Sequence, residues 1–312
     1  MLFLRNVKFK PLGTLFLILC ISGVVNAQHI WQKPILRSRT DVEKIMGPIR
    51  QKEPSRDLNI VWVWGVDFDH ERGYHEHDWV MDLYVNKLLS KVPRVTATHV
   101  MYFPSKKQWE KADLVVFYHH AFNMWKKPQY DLIDAFQARG GGLIFIHESL
   151  IQRPGGEKLA KRVGLAWGTR DSASGRSRWG AMPTPVDVTT KGRRHPILEG
   201  FGAKIDIVDE FYWNLTGDQS KIDVLVTSPA GPGGGSTGPP KAEKLDSNKW
   251  PVFWTMEKGK GKVFVSNPGH NYFLFNDPYY RIILLRAMAW TMNESFDPFK
   301  PLVTEGIELK EK

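Results

Sequence analysis

The sequence predicts an α/β fold, a mostly parallel sheet with helices on both faces. Runs such as LNIVWVWGV (58–66) and GLIFI (142–146) are apolar throughout rather than alternating, as in strands buried on both faces. Between such runs lie stretches with apolar residues three to four apart, among them Trp79, Val80, Leu83, Tyr84 and Leu88, which mark a helix with one buried face. The two patterns alternate along the chain, and strand-helix alternation builds βαβ units around a parallel sheet.

Before the first strand, Arg5, Lys8 and Lys10 precede an apolar stretch from Leu12 to Val25 that ends in Val25-Asn26-Ala27. Residues 1–27 read as a secretory signal peptide with a small-residue cleavage site. The stretch is short for a retained spanning helix, and no second run of that length follows, so the mature chain is expected to be secreted or periplasmic and off the membrane. Cys20, the only cysteine, lies in this leader, which excludes disulfides, thiolate ligands and a cysteine nucleophile from the mature chain. Residues 28–57 carry Pro34, Pro48 and Pro54 without a clear period and read as a lead-in, with order expected from Leu58.

Further strands are expected at RVTATHV (94–100) and DLVVFYHH (113–120), then a helix around PQYDLIDAFQARG closed by Gly140. Beyond residue 165, TPVDVTT, IDVLVTS, WPVFWTM and KVFVSN read as strands. Residues 231–249, rich in Gly, Pro, Ser and Lys, read as a flexible insertion or a lid. Asp277 is a good N-cap and Pro278 suits the first helical position, so the last helix starts there, with Ile282, Leu285, Met288, Ala289 and Met292 on its apolar face. The domain is expected to span 58–295, with 296–312 as a tail.

The net charge of +10 includes the three basic leader residues, and the rest are scattered; even Lys191, Arg193 and Arg194 are broken by Gly192. With no basic stripe interleaved with aromatics, no nucleic-acid partner is expected. No GxGxxG follows the first strand, and GPGGGSTG lacks a phosphate-loop lysine, so no nucleotide cofactor is expected.

Seven of the ten histidines, at 70, 75, 77, 119, 120, 147 and 270, fall at or just past a predicted strand end. In an open parallel sheet those loops share one crevice, where ligands bind. Imidazoles suit zinc-like ions, and a hydrolytic site takes two or three His, Asp or Glu ligands while keeping one position open. No HExxH is present, and His75 and His77, two residues apart, reach one ion only from a loop.

The motifs GGGLIFIHES (140–149), HPILEGFGAKIDIVDEFYWN (195–214), PVFWTMEKGKGKVFVSNPGHNY (251–272) and RIILLRAMAW (281–290) resemble the trehalose-utilisation ThuA-like family over residues 58–293. The resemblance implies a flavodoxin-like fold similar to class I glutamine amidotransferases. His147 then stands where those enzymes carry the elbow cysteine, which rules out glutamine hydrolysis through a thioester. It also implies a site of His75, His147 and His270 as ligands of a divalent metal, with His147, Glu148 and Glu210 as acid-base groups. Trp179 and Tyr212 become sugar platforms or core residues, and Asp209 a substrate contact. His119 and His120 match no family motif, and His195 before Pro196 reads as a turn. The implied activity is on keto-glycosides or disaccharides, by metal-assisted elimination or hydrolysis. A paired-carboxylate glycosidase using Asp67, Asp69, Glu148 or Glu210 and a non-catalytic carbohydrate-binding module are the alternatives.

Overall fold

Along β1 (Leu58–Trp64) successive side chains leave opposite faces of the strand. Ile60 and Trp62 enter one apolar core, and Val61 and Val63 enter the other. β2 (Val95–Met101), β3 (Leu114–Phe117) and β4 (Gly142–Ile146) follow, and β1, β3 and β4 are buried almost throughout because helices cover both sides. The computed structural model describes residues 34–119, 125–152, 156–230 and 248–311. The expected signal peptide, His120 and nearly all of the Gly/Pro segment lie outside them.

The remaining strands are β5 (Leu165–Ala166), β6 (Arg178–Ala181), β7 (Val186–Val188), β8 (Lys204–Ile205), β9 (Glu210–Trp213), β10 (Thr216–Gly217), β11 (Asp223–Ser228), β12 (Trp250–Lys258) and β13 (Gly261–Ser266). Among the described residues, nine of the thirteen form one sheet in the order β2-β1-β3-β4-β13-β12-β11-β7-β8. The first five run parallel in the flavodoxin order, and the other four join antiparallel. β6 and β9 form a separate antiparallel ribbon.

The helices are α1 (Arg39–Met46), α2 (His77–Met81), α3 (Lys106–Lys111), α4 (Lys127–Ala138), α5 (Gly156–Val163) and α6 (Pro278–Thr291). Val80 of α2 and Ile282, Leu285 and Met288 of α6 pack with Ile60 and Trp62, whereas Trp109, Ile133, Phe136, Leu159 and Val163 of α3, α4 and α5 pack on the opposite face. The helical stripe expected from Trp79 to Leu88 is present, but from Asp82 it continues as a π-helix. Asp277 caps α6 as the sequence implies, accepting from Tyr279 N at 2.9 Å.

Order begins before Leu58. Ser38 caps α1, Val42 is fully buried, and Arg37 makes a buried bidentate pair with Asp277, 3.0 Å from Nε and 2.6 Å from Nη2. Ser38 also bridges to Lys310, and Phe299 and Val303 lie in the core. The lead-in and tail lack an apolar period because their partners are distant in sequence.

Candidate functional site

The carboxyl ends of the parallel strands share one edge, and the loops leaving β1, β4 and β13 each bring a histidine over it. The ring centroids of His75 and His147 are 5.1 Å apart, those of His75 and His270 4.6 Å, and those of His147 and His270 5.5 Å. One ring nitrogen from each lies within 4.8 Å of the other two.

Local backbone geometry makes this convergence possible. His147 directly follows β4 with φ of +47°, and His75 has the same value; non-glycine residues rarely adopt it and hold it only where neighbours enforce it. At the His147 elbow, Ser149 supplies that constraint: its hydroxyl accepts from Ile146 N at 2.9 Å and donates to Ile146 O at 2.8 Å. The loop from β13 then passes against the elbow at Gly269, with φ of +148°. A Cβ there would stand 2.6 Å from Ile146 Cγ2 and 2.9 Å from His147 Cβ, so only glycine fits.

Hydrogen bonds fix which nitrogen each ring offers. His147 Nδ1 donates to Asn267 O at 2.7 Å, leaving Nε2 as the acceptor, 3.0 Å from the Tyr212 hydroxyl. His75 Nδ1 lies 2.7 Å from Asp67 Oδ2, and its Nε2 faces His270 Nδ1 at 3.0 Å. Burial lowers the pKa of His75 and His147 well below the imidazole range, and burial with repulsion from His70 pushes His270 down to about 3. Three neutral imidazoles therefore face one another, each able to give a lone pair, two with the far nitrogen oriented by a carboxylate or carbonyl as metal ligands are.

Glu210 completes this side. Its Oε1 lies 3.6 Å from His147 Nε2 and 3.7 Å from His270 Nδ1, and burial with the nearby charges of Asp209 and Glu148 raises its pKa well above the usual carboxylate range. Glu148 sits on the other edge of His75, its Oε2 3.3 Å from Nδ1. Burial pulls Asp67 upward, but hydrogen bonds from His70 and His75 outweigh it and hold Asp67 well below that range. A cleft of about 300 Å³ opens beside the group, lined by Trp64, Asp67, His70, Tyr74, His75 and His77.

Six residues singled out in the sequence thus share one location: His75, His147, His270, Glu148, Glu210 and Tyr212. Tyr212 stacks on His147 with centroids 4.3 Å apart, so one face of its ring is already covered. Trp179 pairs with Tyr212 in the β6/β9 ribbon and is 38% exposed. Asp209 is buried. Its oxygens accept from Gly269 N, His270 N, Asn271 N and Asn271 Nδ2, so it staples the His270 loop, and burial raises it to about 7. His77 faces Tyr118 and Glu148, and His119 lies between Phe117 and Trp125. His195 accepts from Ile197 N in a turn against Trp290.

The sequence model of the family described as trehalose utilisation, ThuA, matches residues 60–291, more than half of the chain. The chain belongs to the ThuA family. Among solved structures it is similar to a ThuA-like protein from Bacteroides uniformis, with a TM-score of 0.57 at 14% identity over 78% of this chain and 95% of that one. A ThuA-like protein from Parabacteroides merdae gives 0.55 at 15% identity, over 76% and 90%. These likenesses show the fold. No curated protein matches the chain.

Within this ThuA chain, the sequence put His70 among the strand-end histidines without a ligand role, did not single out Asn267, and offered Asp67 only as a glycosidase carboxylate. Asp67 and His70 sit three apart just after β1, a signal visible in the sequence. Asn267 carries none, because its part is played by its backbone carbonyl and by amide bonds to Tyr212 and Pro251.

Proposed function

We propose that the protein is an exported enzyme that cleaves a glycosidic bond next to a sugar ketone, using a divalent ion held by His75, His147 and His270. The observation that supports this reading is that ring nitrogens of three neutral imidazoles, His75 and His147 buried and His270 partly so, converge beside Glu210. That donor set fits a zinc-like ion with an open position. When bound, such an ion would supply Lewis acidity for the oxygen of the sugar ketone.

The chain's own residues carry the rest. A ketone at carbon 3 acidifies the hydrogen on carbon 2. Glu210, at the rim beside the facing nitrogens, takes that proton, electrons pass toward the ketone oxygen, and the enolate returns them by expelling the glycosidic oxygen from carbon 1. Glu210 then delivers the proton to the departing oxygen. Glu148 contacts Nδ1 of His75, on the other ring edge from the trio, so the base role falls to Glu210 rather than to Glu148 or to His147, which serves as a ligand. With His147 Nε2 given to the ion, the Tyr212 hydroxyl that donates to that nitrogen in this structure would be released to donate to a substrate oxygen.

The decisive experiment is turnover of a 3-keto-disaccharide by the purified chain with and without added zinc, alongside His147→Ala. Loss of turnover in the variant and on chelation is expected. Sugar affinity that survives His147→Ala, with no turnover by the wild type, would instead support a binding module, the reading that exposed Trp179 favours. Export is checked by finding a mature chain that starts at Gln28 outside the cytoplasm.

A further inference from the structure

The ring of His75 has donor atoms on both edges. Nε2 faces His270 Nδ1 at 3.0 Å. On the other edge, Nδ1 lies 2.7 Å from Asp67 Oδ2, 3.1 Å from His70 Nδ1 and 3.3 Å from Glu148 Oε2. His70 Nδ1 is in turn 2.7 Å from the same Asp67 oxygen. We propose that Asp67, His70 and the Nδ1 edge of His75 form a second divalent-cation site, joined to the first through the ring of His75.

The proposal rests on the metal reading of the His75, His147 and His270 trio and extends it. The triangle of Asp67 Oδ2, His70 Nδ1 and His75 Nδ1 is small enough for one point to stand at zinc-bond distance, about 2.0–2.1 Å, from all three corners. Two imidazoles with one or two carboxylates are a donor mix that zinc-like ions accept.

A carboxylate that merely oriented His75 would require nothing beyond the Asp67 contact. His70 is the addition. Its side chain is 37% exposed, yet its Nδ1 is turned inward onto the oxygen that His75 already uses. Its ring packs edge-on against His75 at 4.2 Å and His270 at 5.6 Å, so it belongs to the imidazole group rather than to the protein surface.

Filling this second position exchanges an ion for the Nδ1 proton of His75, which leaves to solvent. The ring then carries an ion on each nitrogen. Two ions on opposite edges of one imidazole stand farther apart than the roughly 3.5–4 Å of sites whose ions clamp one substrate oxygen. The outer ion therefore acts on the charge of a shared ligand, and through the cleft it is open to exchange while the inner ion stays.

The test uses the full chain, stripped with a chelator, loaded with zinc, desalted and subjected to elemental analysis, in parallel with His70→Ala and His70→Asn. Two zinc ions per chain are expected in the wild type and one in each variant, with circular dichroism confirming that the variants fold. In the copper-loaded wild type, electron paramagnetic resonance should show a coupled pair, and in His70→Ala the spectrum of an isolated ion. One zinc per chain in all three proteins would overturn the second site and leave the proposed function standing. Two in all three would also overturn it, since the second ion would lie elsewhere. No zinc in any would remove the trio reading as well.

Discussion

His270 Nδ1 and His75 Nε2 point at each other across 3.0 Å, although 195 positions separate them in the chain. With His75 Nδ1 directed at Asp67, His75 Nε2 carries a lone pair, and the pair is complete only if His270 donates a proton or an ion stands between them.

If an ion stands there, His270→Ala removes one of three imidazole ligands. Zinc affinity measured by competition with a chelating dye should fall by at least about 10-fold, the scale on which even outer-shell partners act. Unchanged affinity would place the ion elsewhere.

Asn267 ties the elbow to the β9 ribbon. Its side chain accepts from Tyr212 N at 2.8 Å and donates to Tyr212 O and Pro251 O at 2.7 and 3.0 Å. Asn267→Asp turns the donating nitrogen into an oxygen facing two carbonyls. A loss of about 1–3 kcal/mol in urea unfolding is expected, as for a buried polar group left unpaired.

Gly269→Ala sets a methyl group against Ile146 and His147 at a φ of +148°. The strain, about 1–3 kcal/mol, is relieved only by moving the loop. Both the thermal midpoint and zinc affinity should drop, and a variant that retains both would show that the loop can give.

The lead-in contributes to the fold through Arg37. Arg37→Met leaves Asp277 buried without its cation, which typically costs about 3–5 kcal/mol. Arg37→Met with Asp277→Asn should recover part of that loss, and denaturant midpoints of the two variants decide it.

His195 gives a pH dependence away from the imidazole group. Burial lowers its folded pKa from 6.5 to about 4. A depressed histidine pKa means that the unfolded chain binds the proton first, so this group's stability is fully present above pH 6.5 and is lost as pH falls toward 4. In His195→Gln the thermal midpoint should decline less between pH 7 and 4.5 than in the wild type; parallel declines would assign the acid loss to other groups.

The parallel core was legible because strands buried on both faces leave unbroken apolar runs, and α6 announced itself through Asp277 and Pro278. The lead-in and tail were not. Arg37 meets Asp277 and Ser38 meets Lys310 across the length of the chain, and contacts of that span leave no local period. The π-helical turn after Met81 was hidden too, since Leu83, Tyr84 and Leu88 fit either helix.

For the site, the sequence by itself determined which residues stand at strand ends, and so that His75, His147 and His270 would share one edge of the sheet. Tertiary structure decided the rest: which nitrogen His75 and His147 offer, that Asp209 staples a loop, that Trp179 pairs with Tyr212, and that His70 shares an oxygen with His75. The physical reason is range. Strand ends follow from neighbouring residues, whereas ring orientation depends on hydrogen bonds to Asn267 and Asp67 and from Tyr212, partners that only the closed fold brings within reach.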